Sequence, residues 1–204
     1  LAKEYARNDI ERNMMDKYIE FFESGDIQDH KDSQRLWIQD KEPVIESNIG
    51  WVESYMDPQN MRSTFQGFVA IVDKNRSQKF HNVVNQSSSI LRHMPWGKDL
   101  EKEKFLAPDF SSLDIMTFAG NKLPKGINIP NYNEIREKEG FKNVVFESNK
   151  QINNTENIDF MSKEESDLTK KYAKDSYRVM VAGHELFGHG SGKLIYADSN
   201  GKCN

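Results

Sequence analysis

The chain has 204 residues, 36% hydrophobic and 29% charged, with a formal net charge of −4, a composition that belongs to soluble globular proteins of one large domain or two small ones. Basic residues such as Lys170, Lys171 and Lys174 are interleaved with acids, so no surface is built for a nucleic-acid backbone. No stretch approaches the ~20 apolar residues that span a bilayer, and no apolar core follows a basic start as in an export signal.

Cys203 is the single cysteine, and a thiol-poor chain without an internal disulfide fits a reducing, cytoplasmic compartment. The sequence starts at Leu1 inside a helical pattern and stops at Asn204 just after its most informative motif, so it reads as an internal piece cut at both ends. From about Tyr5 to Glu23, the residues Ile10, Met14, Tyr18, Phe21 and Phe22 fall at helical spacing, and Gly25 supplies a C-terminal cap. From Arg35 to Tyr55 the short aromatic and β-branched runs Leu36-Trp37-Ile38, Val44-Ile45 and Ile49-Gly50-Trp51-Val52 predict strands. Phe65–Val72 predicts another strand, followed by a turn over Asp73–Ser77. A second helix runs over about 75–94, where Phe80, Val83, Val84, Leu91 and Met94 share a face and Pro95 ends the pattern. From Phe105 to Phe146, short apolar runs broken by proline and glycine predict strand and ordered loop of the kind that lines a cleft. The Asn-rich stretch over 149–157 reads as a flexible loop. A third long helix starts near Ser162, and its last turns, Val179-Met180-Val181-Ala182, are apolar nearly all round, as in a buried helix.

That helix leads into His184-Glu185-Leu186-Phe187-Gly188-His189. Two imidazoles with a glutamate directly after the first are what a hydrolytic zinc site needs. Neutral imidazoles hold Zn²⁺, the ion acidifies a water, and the carboxylate takes the proton. The common zincin pattern spaces its histidines at i and i+4, roughly 40° apart around a helix. Here they stand at i and i+5, which opens the angle to roughly 140° in a regular helix. For both rings to reach one ion, the helix must absorb an extra residue between Leu186 and His189. Gly188 is the residue suited to permit this, and Gly190 and Gly192 are expected to end the helix. The plain alternative is a pair of ordinary histidines on a core helix. Leu186 and Phe187 are assigned to packing, while His30, His81 and His93 lack metal-spaced partners and read as surface or structural.

The motif and the following Gly190-Ser191-Gly192-Lys193-Leu194 resemble the signature of the dipeptidyl peptidase III family. The resemblance extends through Trp37-Ile38-Gln39-Asp40-Lys41, Glu53-Ser54-Tyr55 with Asp57-Pro58, Gly67-Phe68-Val69-Ala70, Pro108-Asp109-Phe110, Thr117-Phe118-Ala119-Gly120, Gly126-Ile127-Asn128-Ile129-Pro130-Asn131-Tyr132 and Glu139-Gly140-Phe141-Lys142-Asn143-Val144. It implies an α+β fold of two lobes around a cleft. One contains a β-barrel and the peptide site (1–73 and 112–157); the other is largely helical and carries the zinc (74–111 and 158–204).

The resemblance further implies a zinc-dependent exopeptidase that releases dipeptides from the N-terminus of oligopeptides. His184 and His189 would be zinc ligands, and Glu185 the general base and later proton donor. Tyr55 would stabilise the oxyanion, and Glu53, Asn128 and Asn131 would hold the substrate ammonium. Without the resemblance, Glu53 and Tyr55 read as a strand end before a turn, and the two asparagines as loop formers around Pro130. The family's third ligand, a glutamate in a later Glu-Glu-Cys-Arg-Ala segment, lies beyond this chain, and Glu164 and Glu165 are not accepted in its place. The full-length protein is therefore expected to be the enzyme, with this piece alone binding zinc weakly and hydrolysing little. The alternatives are a zinc peptidase of another class and a non-catalytic relative that binds metal or docks a protein partner.

Overall fold

Helix α1 (Asp9–Ser24) starts where the Asn8 side chain accepts from the Glu11 N–H at 2.8 Å, and it ends at Gly25, whose φ of +74° is the left-handed cap that glycine adopts without strain. Met14 and Tyr18 on its inner face are buried. The computed structural model describes residues 1–147 and 159–203, so the loop expected over 149–157 lies outside the described residues.

Leu36-Trp37-Ile38 is not a strand. It forms the last turn of helix α2 (Ile27–Gln39), which is capped by Asp26. The buried stripe of α2 is His30, Ser33, Gln34, Trp37 and Ile38, so its helical period is carried largely by polar residues and does not register as apolar periodicity. Their polar atoms are satisfied inside. His30 Nε2 donates to the Ile49 carbonyl at 2.9 Å, which leaves Nδ1 to accept from the Tyr132 hydroxyl at 2.8 Å. Burial holds the His30 pKa below its ordinary value, in keeping with this neutral ring. Gln34 donates to the Tyr18 hydroxyl and accepts from Asn48 Nδ2, both at 3.0 Å.

Strand β1 (Ile45–Trp51) pairs antiparallel with β2 (Phe65–Val72). Residues 73–77, expected as a turn, instead open helix α3 (Lys74–Leu91), because the Asp73 carboxylate accepts from the Arg76 N–H at 2.8 Å and acts as an N-cap. The expected strand and loop segment contains β3 (Asp109–Ala119), β4 (Gly126–Ile129), the short helix α4 (Asn133–Lys138) and β5 (Lys142–Phe146). The described strands form one sheet in the order β1-β2-β3-β5-β4, with only the β3–β5 pair parallel. The class is α+β.

Both faces of this sheet are covered. Helices α1 and α2 pack Met14, Tyr18, Trp37 and Ile38 against Phe68, Ala70, Leu113, Val144 and Phe146. On the other face Phe80 and Val84 of α3 meet Phe110, Val145, Val181 and Leu186. Every residue of β5 is buried, as suits a strand with a parallel neighbour and two packed faces.

Helix α5 (Lys163–Ala182) begins at a capping box in which Ser162 Oγ accepts from the Glu165 N–H and the Glu165 carboxylate accepts from the Ser162 N–H. Glu165 is thereby used at the far end of the helix from the histidines. The end of α5 is not buried all round. Val181 and Ala182 face the sheet, while Val179 is 73% and Met180 53% exposed, because only one face of the helix meets the layer beneath it. Among the described residues, no helix is long and apolar enough to cross a membrane.

Candidate metal centre

At Gly183 the chain passes from α5 into a π-helical segment, Gly183–His189. A π-turn closes its hydrogen bonds from i to i+5, so residues five apart return to one side. This is the extra residue the motif spacing requires, although the distortion starts at Gly183 rather than Leu186. The glycine that the turn needs is also different. A Cβ on Gly188 would have its nearest neighbour 3.9 Å away, whereas one on Gly190 would lie 2.3 Å from the Leu186 carbonyl oxygen and 2.7 Å from the Phe141 ring. Gly190→Ala is accordingly expected to lower stability by about 1–3 kcal/mol, the scale of overpacking. Gly188→Ala is expected to leave the urea midpoint unchanged or raised, since alanine is the better helix former.

The two Nε2 atoms of His184 and His189 approach to 3.1 Å, with ring centroids 4.7 Å apart and planes at 79°. Both rings are exposed on their outer side. The His189 pKa is lowered by burial first and then by its electrostatic interactions with the neighbouring His184 ring and with Arg136, which favours the neutral, ligating imidazole. Glu185 between them is only 5% exposed. Its pKa is pushed up to about 7 by burial and then by the negative charge of Glu53, against the opposing pull of Arg136.

Glu53 and Tyr55 follow the end of β1, on a stretch where Thr64 N–H donates to the Glu53 carbonyl at 2.8 Å and so continues the β1–β2 pairing. The Glu53 carboxyl is raised by burial and drawn down by Arg136 and His184. Tyr55, 65% exposed, is raised by what burial it has and then by the carboxylates of Glu53 and Glu185. Glu53, Tyr55 and Glu185 thus lie within one another's electrostatic reach.

The asparagines reach it from β4 and the loop behind it. Asn128 Nδ2 donates to Asn143 Oδ1 at 2.6 Å and to the Glu185 carbonyl at 2.9 Å, while its buried Oδ1 has no partner among the described residues. Asn131 Nδ2 donates to the Val52 carbonyl, one residue before Glu53. Asn128 is thereby seated against the backbone of Glu185, and Asn131 beside the stretch that carries Glu53. Sequence reasoning missed Arg136 of α4, whose guanidinium donates to the carbonyls of Asn128, Pro130 and His189. No motif announces it. The remaining histidines stand apart: His81 lies 3.5 Å from Glu42 and 3.4 Å from Asp109, and His93 bonds the Ser89 carbonyl.

The donor set suits a tetrahedrally held zinc. With Zn–N bonds of about 2.0–2.1 Å the edge of the tetrahedron is roughly 3.3 Å, close to the observed 3.1 Å between the Nε2 atoms. The pair supplies two donors, and among the described residues no group of three His, Cys, Asp or Glu side chains is placed to hold a metal ion.

The model of peptidase family M49 matches residues 1–204. Dipeptidyl peptidase 3 of Rattus norvegicus is 47% identical over 206 residues, covering 100% of this chain and 28% of the relative. That of Homo sapiens is 46% identical with the same coverage, and that of Dictyostelium discoideum 45% identical, with 30% of the relative covered. The chain therefore spans less than a third of the length of the curated relatives it matches. Among solved structures, DPP III from Caldithrix abyssi superposes with a TM-score of 0.60 at 22% identity, over 71% of this chain and 28% of that one. Dipeptidyl-peptidase III from Corallococcus sp. strain EGB gives 0.60 at 19% identity, over 70% and 27%, a likeness of fold. With residues 1–204 of the chain all matched by the family model, the chain belongs to peptidase family M49.

Proposed function

We propose that the full-length protein is a zinc-dependent exopeptidase that releases dipeptides from the N-terminus of oligopeptides. The observation that carries this reading is the convergence of His184 and His189 Nε2 at 3.1 Å beside the buried carboxyl of Glu185. The third protein ligand would come from outside the described residues. When bound, zinc supplies a Lewis acid and an acidified water.

Glu185 takes the proton of the attacking water and returns it to the leaving amine. A carboxyl raised to about 7 is suited to both steps near neutral pH. Tyr55 stays a neutral phenol, because its pKa is raised, and donates a hydrogen bond that strengthens as charge develops on the scissile carbonyl oxygen. Glu53 and the partnerless Oδ1 of Asn128 accept from the substrate ammonium, with Asn131 keeping the loop beside them. Anchoring the ammonium at a fixed distance from the histidines selects which peptide bond is cut. In this scheme residues 1–73 and 112–157 form the peptide-holding lobe, and residues 74–111 and 158–204 the metal-holding lobe. A cytoplasmic location belongs to the same proposal.

The test compares a chromogenic dipeptidyl substrate with its N-acetylated form. Turnover of the free amine is expected to vanish on chelation and return with zinc; activity indifferent to metal removal would overturn the metal. Glu53→Gln is expected to lower kcat/KM on the free amine roughly 10- to 100-fold, the scale of one hydrogen bond to a charged group. Blocked substrate should be unaffected. Equal loss on both substrates would point to another class of zinc peptidase.

A further inference from the structure

In the π-helical segment, the helix end leaves carbonyls without a partner in the backbone ladder, and a carbonyl oxygen within it has a second lone pair to offer. Two carbonyls are held from the sheet side. The Glu185 carbonyl accepts from Asn128 Nδ2 at 2.9 Å, and the His189 carbonyl accepts from Arg136 Nη2 at 2.8 Å. The other arm of the same guanidinium, Nη1, donates to the carbonyls of Asn128 at 3.0 Å and Pro130 at 3.3 Å, so one planar group joins the end of β4 to the second histidine. The Arg136 guanidinium carbon lies over the Phe141 ring, 5.6 Å from its centroid. The third contact is steric. A Cβ on Gly126 would fall 2.7 Å from Glu185 Oε1 and 2.8 Å from Val181 Cγ1, so the bare backbone of β4 is the wall against which the carboxylate is seated.

We propose that Gly126, Asn128 and Arg136 form a brace that holds the π-helical segment in the register that makes His184 and His189 converge, and that Arg136 acts as a positioning residue. The chemistry favours arginine specifically. Three carbonyls approached from two sides need the rigid fork of a guanidinium, whereas an ammonium supplies a point charge on a flexible stem. Arg136 also places positive charge near Glu53 and Glu185, and the two roles separate in Arg136→Lys, which keeps the charge and loses the fork. Asn128 serves twice: Nδ2 braces the Glu185 carbonyl, and Oδ1 remains open.

The experiment uses the full-length protein, wild type and the variants Arg136→Lys and Gly126→Ala, with two readouts. Amide hydrogen exchange over residues 183–190 needs no metal. It is expected to quicken at least about tenfold in Arg136→Lys, the scale of one lost charge-assisted hydrogen bond, with exchange in the first turns of α5 unchanged. Zinc competition with a chromogenic chelator is expected to show the metal Kd raised about 10- to 100-fold in both variants, as for other groups that orient metal ligands. Exchange unchanged in both variants would overturn the brace, as would wild-type exchange and Kd in Arg136→Lys, which would leave only a charge effect. The metal readout rests on the proposed function; should the wild-type protein hold no zinc, that function falls while the exchange comparison still decides the brace.

Discussion

Glu185→Gln should lower kcat by about 10²- to 10⁴-fold, the contribution of a positioned general acid and base, with zinc content unchanged by atomic absorption. Glutamine keeps the length and planarity of the side chain and so keeps its seat against Gly126, where Glu185 Oε1 would meet a Cβ at 2.7 Å. It loses only the ability to take up a proton. The position is demanding because the carboxyl is 5% exposed and has Glu53 as a like-charged neighbour, the two causes that raise its pKa to about 7. Glu185→Ala removes the same function and also empties the seat. It is therefore expected to match the glutamine variant in kcat while loosening the π-turn in hydrogen exchange. A glutamine variant within tenfold of wild type would remove Glu185 as the base and shift attention to Glu53, the other raised carboxyl of the site.

What the sequence disclosed depended on which residues carried the period. Helix α1 and strand β2 were legible because apolar residues mark the helical and strand faces and Gly25 marks a stop. Helix α2 was not, because His30, Ser33 and Gln34 fill much of its buried stripe: His30 and Gln34 find partners on Tyr18, Asn48, Ile49 and Tyr132, all on other elements, and Ser33 bonds back to the His30 carbonyl. The spacing of His184 and His189 foretold a widened turn by geometry alone. Which glycine it needs did not follow, since the crowding at Gly190 comes partly from Phe141, nearly fifty residues earlier in the chain. The roles expected of Glu53, Tyr55, Asn128 and Asn131 came through family resemblance, as nothing in their local sequence distinguishes them from turn formers. Arg136 lay outside both kinds of signal: it acts through backbone carbonyls, which are present in every sequence and mark none.

Lys142→Met is expected to destabilise the protein by about 3–5 kcal/mol, the cost of leaving one member of a buried ion pair uncompensated, against a total stability of about 5–15 kcal/mol for a typical domain. Lys142 is fully buried on β5. Its Nζ donates to Glu46 Oε2 at 2.7 Å and to the Asp40 carbonyl at 2.9 Å, and stands 4.8 Å from the centroid of the Trp37 ring. The indole Nε1–H donates to the other Glu46 oxygen at 2.7 Å, and Asp109 lies 3.8 Å from the ammonium. The end of α2, β1, β3 and β5 thus meet on one charge. Burial first, and then the negative charge of Asp109, raise the Glu46 pKa, and Lys142 is the main influence pulling it back, so removing the lysine leaves a carboxyl with little reason to stay ionised. Urea unfolding of Lys142→Met, Glu46→Leu and the double variant separates the contributions. The double variant should recover part of the loss because no orphaned charge remains; strictly additive losses would mean that the pair is not coupled. The neighbours of Lys142 on the chain touch the metal centre, Asn143 through Asn128 and Phe141 through Gly190 and Arg136. Well below its unfolding midpoint, Lys142→Met should nevertheless retain wild-type zinc affinity, because the ion pair fixes the opposite face of β5 and the brace on the histidines does not pass through it.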